Sequence, residues 1–511
     1  MLVQHFLEHS ARRLPDKTAL VFGNERLTYG ALNALANRFA HALMEAGLLR
    51  GERVAVFLDN SIETVISIFG TLKAGGVFSV LSPTMKERKL SYILNHLDAS
   101  FLVTHASKMN QAAPASADAA SLRAVITSGG GGVSPHTPVS ILDWDGFIRG
   151  KPDHEPSCPS IDIDLATIIY TSGTTADPKG IMMTHLNMTH VSSSIISYLQ
   201  NDEADVIMDV LPLSFDYGLY QALMSLRIGG TLVLERSFSF PYAIVERMAG
   251  ERVTGFPGVP TVFAMLLRLE SFNGRILPHL RYITNTGAPL PVRHIQLLRE
   301  RFPNVALYSM YGLTECKRVS YLPPSEIDRR PESVGIPIPN TEVFIVDEHG
   351  NRVEQGMVGE LVVRGAHVMK GYWKDPEETA KRLRPGLLPD EKVLFTGDLF
   401  RMDEDGFLYF IARKDDLIKT RGERVSPREV ENAIHEIPGV VEAAVIAVPD
   451  EILGSAIKAF VVVESPAGLT ERDVIAHCAK TLETFMVPKY VEFVSDLPRT
   501  SSGKVDKKAL R

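Results

Sequence analysis

The sequence predicts an α/β fold: a large N-terminal domain of two related doubly wound halves plus a β-rich subdomain, then a small α+β C-terminal domain. Three observations carry this expectation. Strand–helix–strand patterning appears twice, over 54–81 and 206–234, and each helix stops at a Gly-Gly pair, as in βαβ units. From about 334 to 412 the pattern turns to short strands and hairpins. After Lys414 helix and strand patterns resume over a stretch of common domain size, about 100 residues. The division is therefore set at 1–413 and 414–511.

In chain order, MLVQHFLEHSARR reads as an amphipathic helix and 17–30 as a hairpin turning at Gly23-Asn24. Residues 32–48 have helical apolar spacing. A strand at 54–58 precedes Asn60 and Glu63, at capping-box spacing before the apolar face of Ile62, Val65, Ile66 and Phe69. Gly75-Gly76 ends that helix, and 77–81 is the next strand. The second set is a strand at 206–210, a helix at 219–226, Gly229-Gly230 and a strand at 231–234. Leu72-Lys-Ala-Gly-Gly76 and Leu226-Arg-Ile-Gly-Gly230 match in type at each position. That fits related halves, and equally the common use of glycine just past a helix end. Residues 111–121 and 129–136 read as loops, and turns are expected at His349-Gly350-Asn351 and Asp405-Gly406. The C-terminal pattern is helix 427–434, strands 443–448 and 456–463, helix 471–484 and strand 490–494.

A chain of 511 residues, 45% hydrophobic and 23% charged, has the balance of a globular protein with a large core. A net charge of −7 argues against nucleic acid or an anionic membrane surface as general partners. No apolar run of about 18 residues is present, so no membrane span is expected. The N-terminus lacks the charged start and apolar core of a secretory signal. Cys158, Cys316 and Cys478 are too widely spaced for a metal or disulfide framework, which fits a reducing cytoplasm.

Tyr170-Thr-Ser-Gly-Thr-Thr-Ala-Asp-Pro-Lys-Gly180 follows a strand pattern at 165–170. Its hydroxyls and backbone N–H groups can face a polyphosphate, and Lys179 adds a compact positive charge. An ordinary polar loop is the plain alternative. The spacing is not that of a Walker loop, and the four-glycine run at 129–132 has no Lys-Ser/Thr after it. Further stretches stand out in order: Leu211-Pro-Leu-Ser-Phe-Asp-Tyr-Gly218, Asn285-Thr-Gly-Ala-Pro-Leu290, Ser309-Met-Tyr-Gly-Leu-Thr-Glu315, Thr396-Gly-Asp398, Lys414-Asp-Asp-Leu-Ile-Lys419 with Thr420-Arg-Gly-Glu-Arg-Val425, and Leu497-Pro-Arg-Thr-Ser-Ser-Gly-Lys504. Tyr311 can stack on a purine, Thr314 can bond a phosphate, and Glu315 suits Mg²⁺ held between phosphates. Small residues at 287–289 let a flat base approach the backbone. A carboxylate at Asp398, at an expected strand end, can accept from both ribose hydroxyls.

Together these stretches, spread over nearly the whole chain, resemble the adenylate-forming superfamily of acyl-CoA synthetases, adenylation domains and luciferases. The phosphate loop departs from the family at Ala176, where glycine is usual. The resemblance implies ATP and Mg²⁺ as cofactors and a mobile C-terminal lid. It assigns Thr171, Ser172, Gly173, Thr174, Thr175 and Lys179 to the phosphates. Gly287, Ala288, Pro289 and Tyr311 go to adenine, Asp398 and Arg413 to ribose. Thr314 and the metal ligand Glu315 serve catalysis with Lys179 and the late lysine, Lys504. Asp415 is the implied hinge, and Gly422 would pass a phosphopantetheine arm.

The same resemblance gives the acid pocket as Asp216, Tyr217, Tyr220, Asn285 and Met310. Many acyl-CoA synthetases have Pro-Leu-Phe-His where this chain has Ser-Phe-Asp, which is more like amino-acid adenylation domains, whose aspartate pairs with the α-ammonium. Tyr217-Gly218 departs from those domains, and Asp216 as a helix cap is the alternative. Arg318 follows the Ser309–Glu315 stretch and reads as a surface residue, or as a contact for a second carboxylate. The expected activity is ATP-dependent, AMP-forming ligation of a small carboxylic acid, an amino acid first, to the phosphopantetheine thiol of a separate carrier protein. No sequence follows Arg511, so no fused carrier is expected. Formation of an acyl-CoA from a non-amino acid is the alternative.

Overall fold

Runs of aliphatic residues that are buried on both faces build two sheets, as parallel strands covered by helices require. The computed structural model describes residues 1–511 except 131–138, 159, 172–176, 270–276, 415, 421–422, 451–453, 465–467, 501–502 and 511. Among the described residues the first sheet has eight strands, in the order Gly371–Tyr372, Lys179–Thr184, Leu165–Thr171, Val77–Val80, Arg53–Phe57, Ala99–His105, Ala124–Ser128 and Ser140–Asp143. The second has nine: Ile336–Pro337, Ser320–Tyr321, Ala306–Tyr311, Tyr282–Asn285, Gly255–Gly258, Val206–Asp209, Thr231–Leu234, Thr18–Phe22 and Glu25–Thr28.

The two matching glycine-ended stretches belong to separate sheets. Arg53–Phe57 pairs in parallel with Val77–Val80 in one, and Val206–Asp209 with Thr231–Leu234 in the other. Their crossover helices, Ile62–Lys73 and Asp216–Ile228, are buried almost throughout. The opening hairpin crosses over: Thr18–Phe22 runs parallel to Thr231–Leu234, so the start of the chain completes the second sheet.

A five-stranded antiparallel sheet follows, made of Glu342–Val346, Val358–Arg364, Leu383–Pro385, Lys392–Met402 and Leu408–Arg413. Beyond it, Ile418–Thr420 pairs with Glu423–Val425, and Val440–Asp450, Gly454–Val463 and Tyr490–Phe493 form a last sheet backed by helices Pro427–His435 and Glu471–Thr481. This C-terminal part leans on the rest through polar contacts. Arg428 Nη1 donates to Phe410 O at 2.8 Å, and Ser426 Oγ donates to Ile411 O at 2.6 Å. Thr261 Oγ1 donates to Gly503 O at 3.2 Å.

Two local expectations fail. The stretch read as a loop at 111–121 lies mostly in helix Met109–Ala117. Its alanines favour helix, and Ala112, Ala113 and Ala115 are buried, which outweighs the breaking effect of Pro114. Asn60 is not the cap of helix Ile62–Lys73; Ser61 is, accepting from Thr64 N. Asn60 instead ties the two halves together. Its Nδ2 donates to Leu211 O and Glu235 O, both at 2.8 Å, and its Oδ1 accepts from Leu213 N at 2.8 Å. These bonds fix the segment that leads into Asp216. Asn60→Ala leaves three backbone groups unpaired, each costing about 1–3 kcal/mol if no water replaces the bond. We expect a clear drop in the thermal unfolding midpoint; an unchanged midpoint would show that the tie carries no stability.

Candidate active site

Three loops leave the carboxyl ends of parallel strands in the nine-stranded sheet, where open α/β sheets bind ligands. After Val206–Asp209 the chain reaches Asp216, the first residue of helix Asp216–Ile228. After Tyr282–Asn285 come Thr286 and Gly287, and after Ala306–Tyr311 come Thr314 and Lys317. Lys504, from the C-terminal part, closes the ring. Asp216, Tyr217, Thr286, Gly287, Thr314, Lys317 and Lys504 line one void of about 260 Å³, open solvent included.

Lys504 enters over Phe215, its Nζ 5.2 Å from the ring centroid. Burial pulls its ammonium below the ordinary lysine range, with Asp216 opposing. Gly287 makes this approach feasible. Its φ of +88° is in the left-handed region, and a Cβ there would stand 3.1 Å from Lys504 Cε.

Among the residues expected to hold the nucleotide, Tyr311 donates to Asp398 Oδ2 at 2.6 Å, and Arg413 Nε stands 3.8 Å from Asp398 Oδ1. Burial raises the Asp398 carboxyl, with Arg413 pulling it back. Asp398 sits inside the long strand Lys392–Met402, opposite Arg413 in register, and not at a strand end as expected. Gly397, at φ +75°, kinks the strand there, and its N–H donates to Glu360 Oε1 at 2.9 Å. Glu315 Oε1 accepts from Tyr372 OH at 2.7 Å. Among the described residues no three His, Cys, Asp or Glu side chains group as a metal site. The lone Glu315 carboxylate still fits Mg²⁺, which commonly takes one or two carboxylates plus substrate phosphates.

Thr171 and Lys179 face each other at the ends of antiparallel strands Leu165–Thr171 and Lys179–Thr184. The phosphate loop therefore joins two strands. Its Ser172, Gly173, Thr174 and Thr175 lie outside the described residues, as do Asp415 and Gly422. Lys179 Nζ pairs with Glu378 Oε1 at 2.9 Å. Ala288 O accepts from Asn285 Nδ2 at 3.0 Å, while Pro289 is exposed.

Of the five expected acid-pocket residues, Asp216 and Tyr217 reach the void. Tyr220, Asn285 and Met310 are buried behind it, and Met310 Sδ accepts from Tyr198 OH at 3.1 Å. Asp216 does not cap its helix. It has a partner that the sequence reading missed: Lys317 Nζ donates to Asp216 O at 3.0 Å and stands 3.7 Å from Oδ2. Burial pulls the Lys317 ammonium down to about 7, with Asp216 opposing. Arg318 is not a surface residue: it is 1% exposed, and its guanidinium carbon lies 5.4 Å from the Tyr217 ring centroid. Phe215, Tyr372 and Glu378 were also missed. Phe215 was legible as the neighbour of Asp216, whereas Tyr372 and Glu378 stand in a stretch with no signal.

Asp216, Gly287, Thr314 and Lys504, from stretches far apart in sequence, meet on one void, and Tyr311, Asp398 and Arg413 form a second group. The AMP-binding enzyme model matches residues 7–373, and the AMP-binding enzyme C-terminal domain matches 429–504. The chain belongs to the AMP-binding enzyme family. It is 32% identical to a long-chain-fatty-acid–CoA ligase of Bacillus subtilis (strain 168), over 99% of this chain and 94% of that one. It is also 32% identical to tyrocidine synthase 3 of Brevibacillus parabrevis, over 99% of this chain and 8% of that much longer one. A solved anthranilate CoA ligase in complex with anthranoyl-AMP superposes with a TM-score of 0.92 at 27% identity, covering 100% of this chain and 96% of that one. Gly287→Ala strains the backbone and crowds Lys504. It should lower acid-dependent ATP–pyrophosphate exchange at least tenfold, about 1.4 kcal/mol of barrier; full exchange would mean that Lys504 does not use this approach.

Proposed function

We propose that the protein activates a small carboxylic acid with ATP and passes the acyl group to the thiol of coenzyme A. The observation that carries this reading is Lys504, delivered by the C-terminal part into the void between Asp216, Gly287 and Thr314. Tyr217 on that void, with Tyr220 and Met310 buried behind it, leaves little room for a long chain, which supports a small acid.

In the first step a substrate carboxylate oxygen attacks the α-phosphorus of ATP, the bond to the β-phosphate oxygen breaks, and pyrophosphate leaves. No base is required, because the carboxylate is already ionised. Negative charge builds on the phosphoryl oxygens, so fixed donors and cations there supply much of the rate. Lys504 and Thr314 are assigned this task, and Lys179 joins once it leaves Glu378. Mg²⁺ at Glu315 would neutralise phosphate charge. Asp398, Tyr311 and Arg413 hold the ribose and adenine end. In the second step a thiol sulfur attacks the acyl carbon, its proton is lost, and the bond to AMP oxygen breaks. Lys504 fills the void in the present arrangement, so the thiol needs the C-terminal part, 414–511, to turn away. Asp415 is assigned as the pivot, and Gly422 as the residue past which the thiol arm would run. Gated closures of this kind often set turnover.

A second reading, an amino acid loaded on a separate carrier protein, is favoured by the Asp216 carboxylate at the pocket mouth, which could face an α-ammonium. Cysteines Cys158, Cys316 and Cys478 are all unpaired, which supports a reducing compartment such as the cytoplasm. No described helix is long and apolar enough to cross a membrane.

Lys504→Ala tests the assignment by separating the half-reactions. Pyrophosphate exchange should fall by about two decades or more, as loss of a transition-state charge contact can cause, while thioester formation from supplied acyl-AMP falls far less. Equal losses in both would contradict the role given to Lys504.

A further inference from the structure

We propose that Lys317 selects the acid: it is an in-chain ammonium standing before Asp216, where a substrate α-ammonium would bind, so the preferred substrates are small acids without an α-amino group. This rests on the function proposed above and names its substrate class.

The surroundings of Lys317 Nζ already form a filled ammonium site. The Asp216 carboxylate lies 3.7 Å away and its backbone carbonyl accepts at 3.0 Å. The rings of Tyr217 and Tyr220 stand 5.0 and 4.8 Å from the same nitrogen, the arrangement by which aromatic faces hold cations. Lys317 is 3% exposed and Asp216 8%, so neither charge is compensated by bulk water. Lys317 already takes both the carbonyl and the carboxylate of Asp216; an ammonium from the substrate would find these acceptors occupied, at a high desolvation cost.

The rest of the pocket does not supply a counter-charge. Arg318, behind Tyr217, is a further buried cation with no carboxylate partner among the described residues, and its Nε and Nη1 have no hydrogen-bond acceptor. Lys504 is a third cation on the same void. Asp209, the other carboxylate acting on Lys317, is fully buried, and burial pushes it toward its neutral acid. An α-amino acid would therefore place a second ammonium beside Lys317 with only the Asp216 carboxylate to share. An acid with hydrogen, alkyl or a hydrogen-bond acceptor at that position would leave the Lys317–Asp216 pair intact.

The test is pyrophosphate exchange with matched pairs, each α-amino acid against its deaminated analogue: alanine with propionate, valine with isovalerate, phenylalanine with 3-phenylpropionate. The wild type should favour the deaminated member at least tenfold. Lys317→Ala empties the ammonium site, so the ratio should move toward the amino acid by at least tenfold, and added ethylamine should restore activity with the deaminated acid. A change in folding alone would not reverse a preference or respond to ethylamine. If the alanine variant does not fold, Lys317→Gln removes the charge while keeping the site filled, and the shift in the ratio alone is read. A wild type that favours amino acids, or a folded, active variant with an unmoved ratio, overturns the proposal. Absence of exchange with every acid in the wild type would instead overturn the function itself.

Discussion

A buried ammonium needs a carboxylate to face it, and this site places lysines from two distant stretches around Asp216. Lys317 bonds it within the large part of the chain, and Lys504 reaches the same void from the C-terminal part. Removing one partner of a buried pair leaves an uncompensated charge and is commonly worth about 3–5 kcal/mol, so the start of helix Asp216–Ile228 cannot be repositioned without disturbing both. The two sheets exist, functionally, to hold this point still. Asn60 anchors the approach to Asp216 from the first half, while neighbouring strand ends of the second half present Gly287 and Lys317.

The Tyr311–Asp398–Arg413 group obeys a different constraint. In the proposed role Asp398 has to accept hydrogen bonds although it is buried. The kink at Gly397, fixed by Glu360, turns it toward Tyr311 and Arg413. Lys179 is tied to Glu378 and Glu315 to Tyr372. Ligand phosphates and magnesium would have to compete with these internal partners, which keep exposed charge low until they arrive.

Much of the architecture was legible because periodicity and punctuation are local. Each βαβ unit carries its apolar strands and its glycine stop within about 30 residues, and the shift to hairpins near 334 is a change of local pattern. What escaped was set by tertiary context. Nothing near Thr18–Phe22 says that it will pair with Thr231–Leu234. The alanine-rich 111–121 segment is helical because its small side chains pack on a neighbour. In the site, motif residues such as Asp216, Thr314 and Lys504 converge on one void, as the family resemblance implied. The Lys317 partnership joins positions 101 apart, and Arg318 follows a motif that gives no hint of its burial.

The central claim is that the present arrangement performs the first chemical step and must open for the second. A reversible lock tests it most directly. A Cβ at Gly503 would lie 3.6 Å from Thr261 Oγ1, so side chains at these two positions would meet between the C-terminal part and the rest. A Thr261→Cys, Gly503→Cys protein, oxidised, should retain acid-dependent pyrophosphate exchange and form no thioester until a reductant is added. Thioester formation at the wild-type rate in the locked protein would contradict the account.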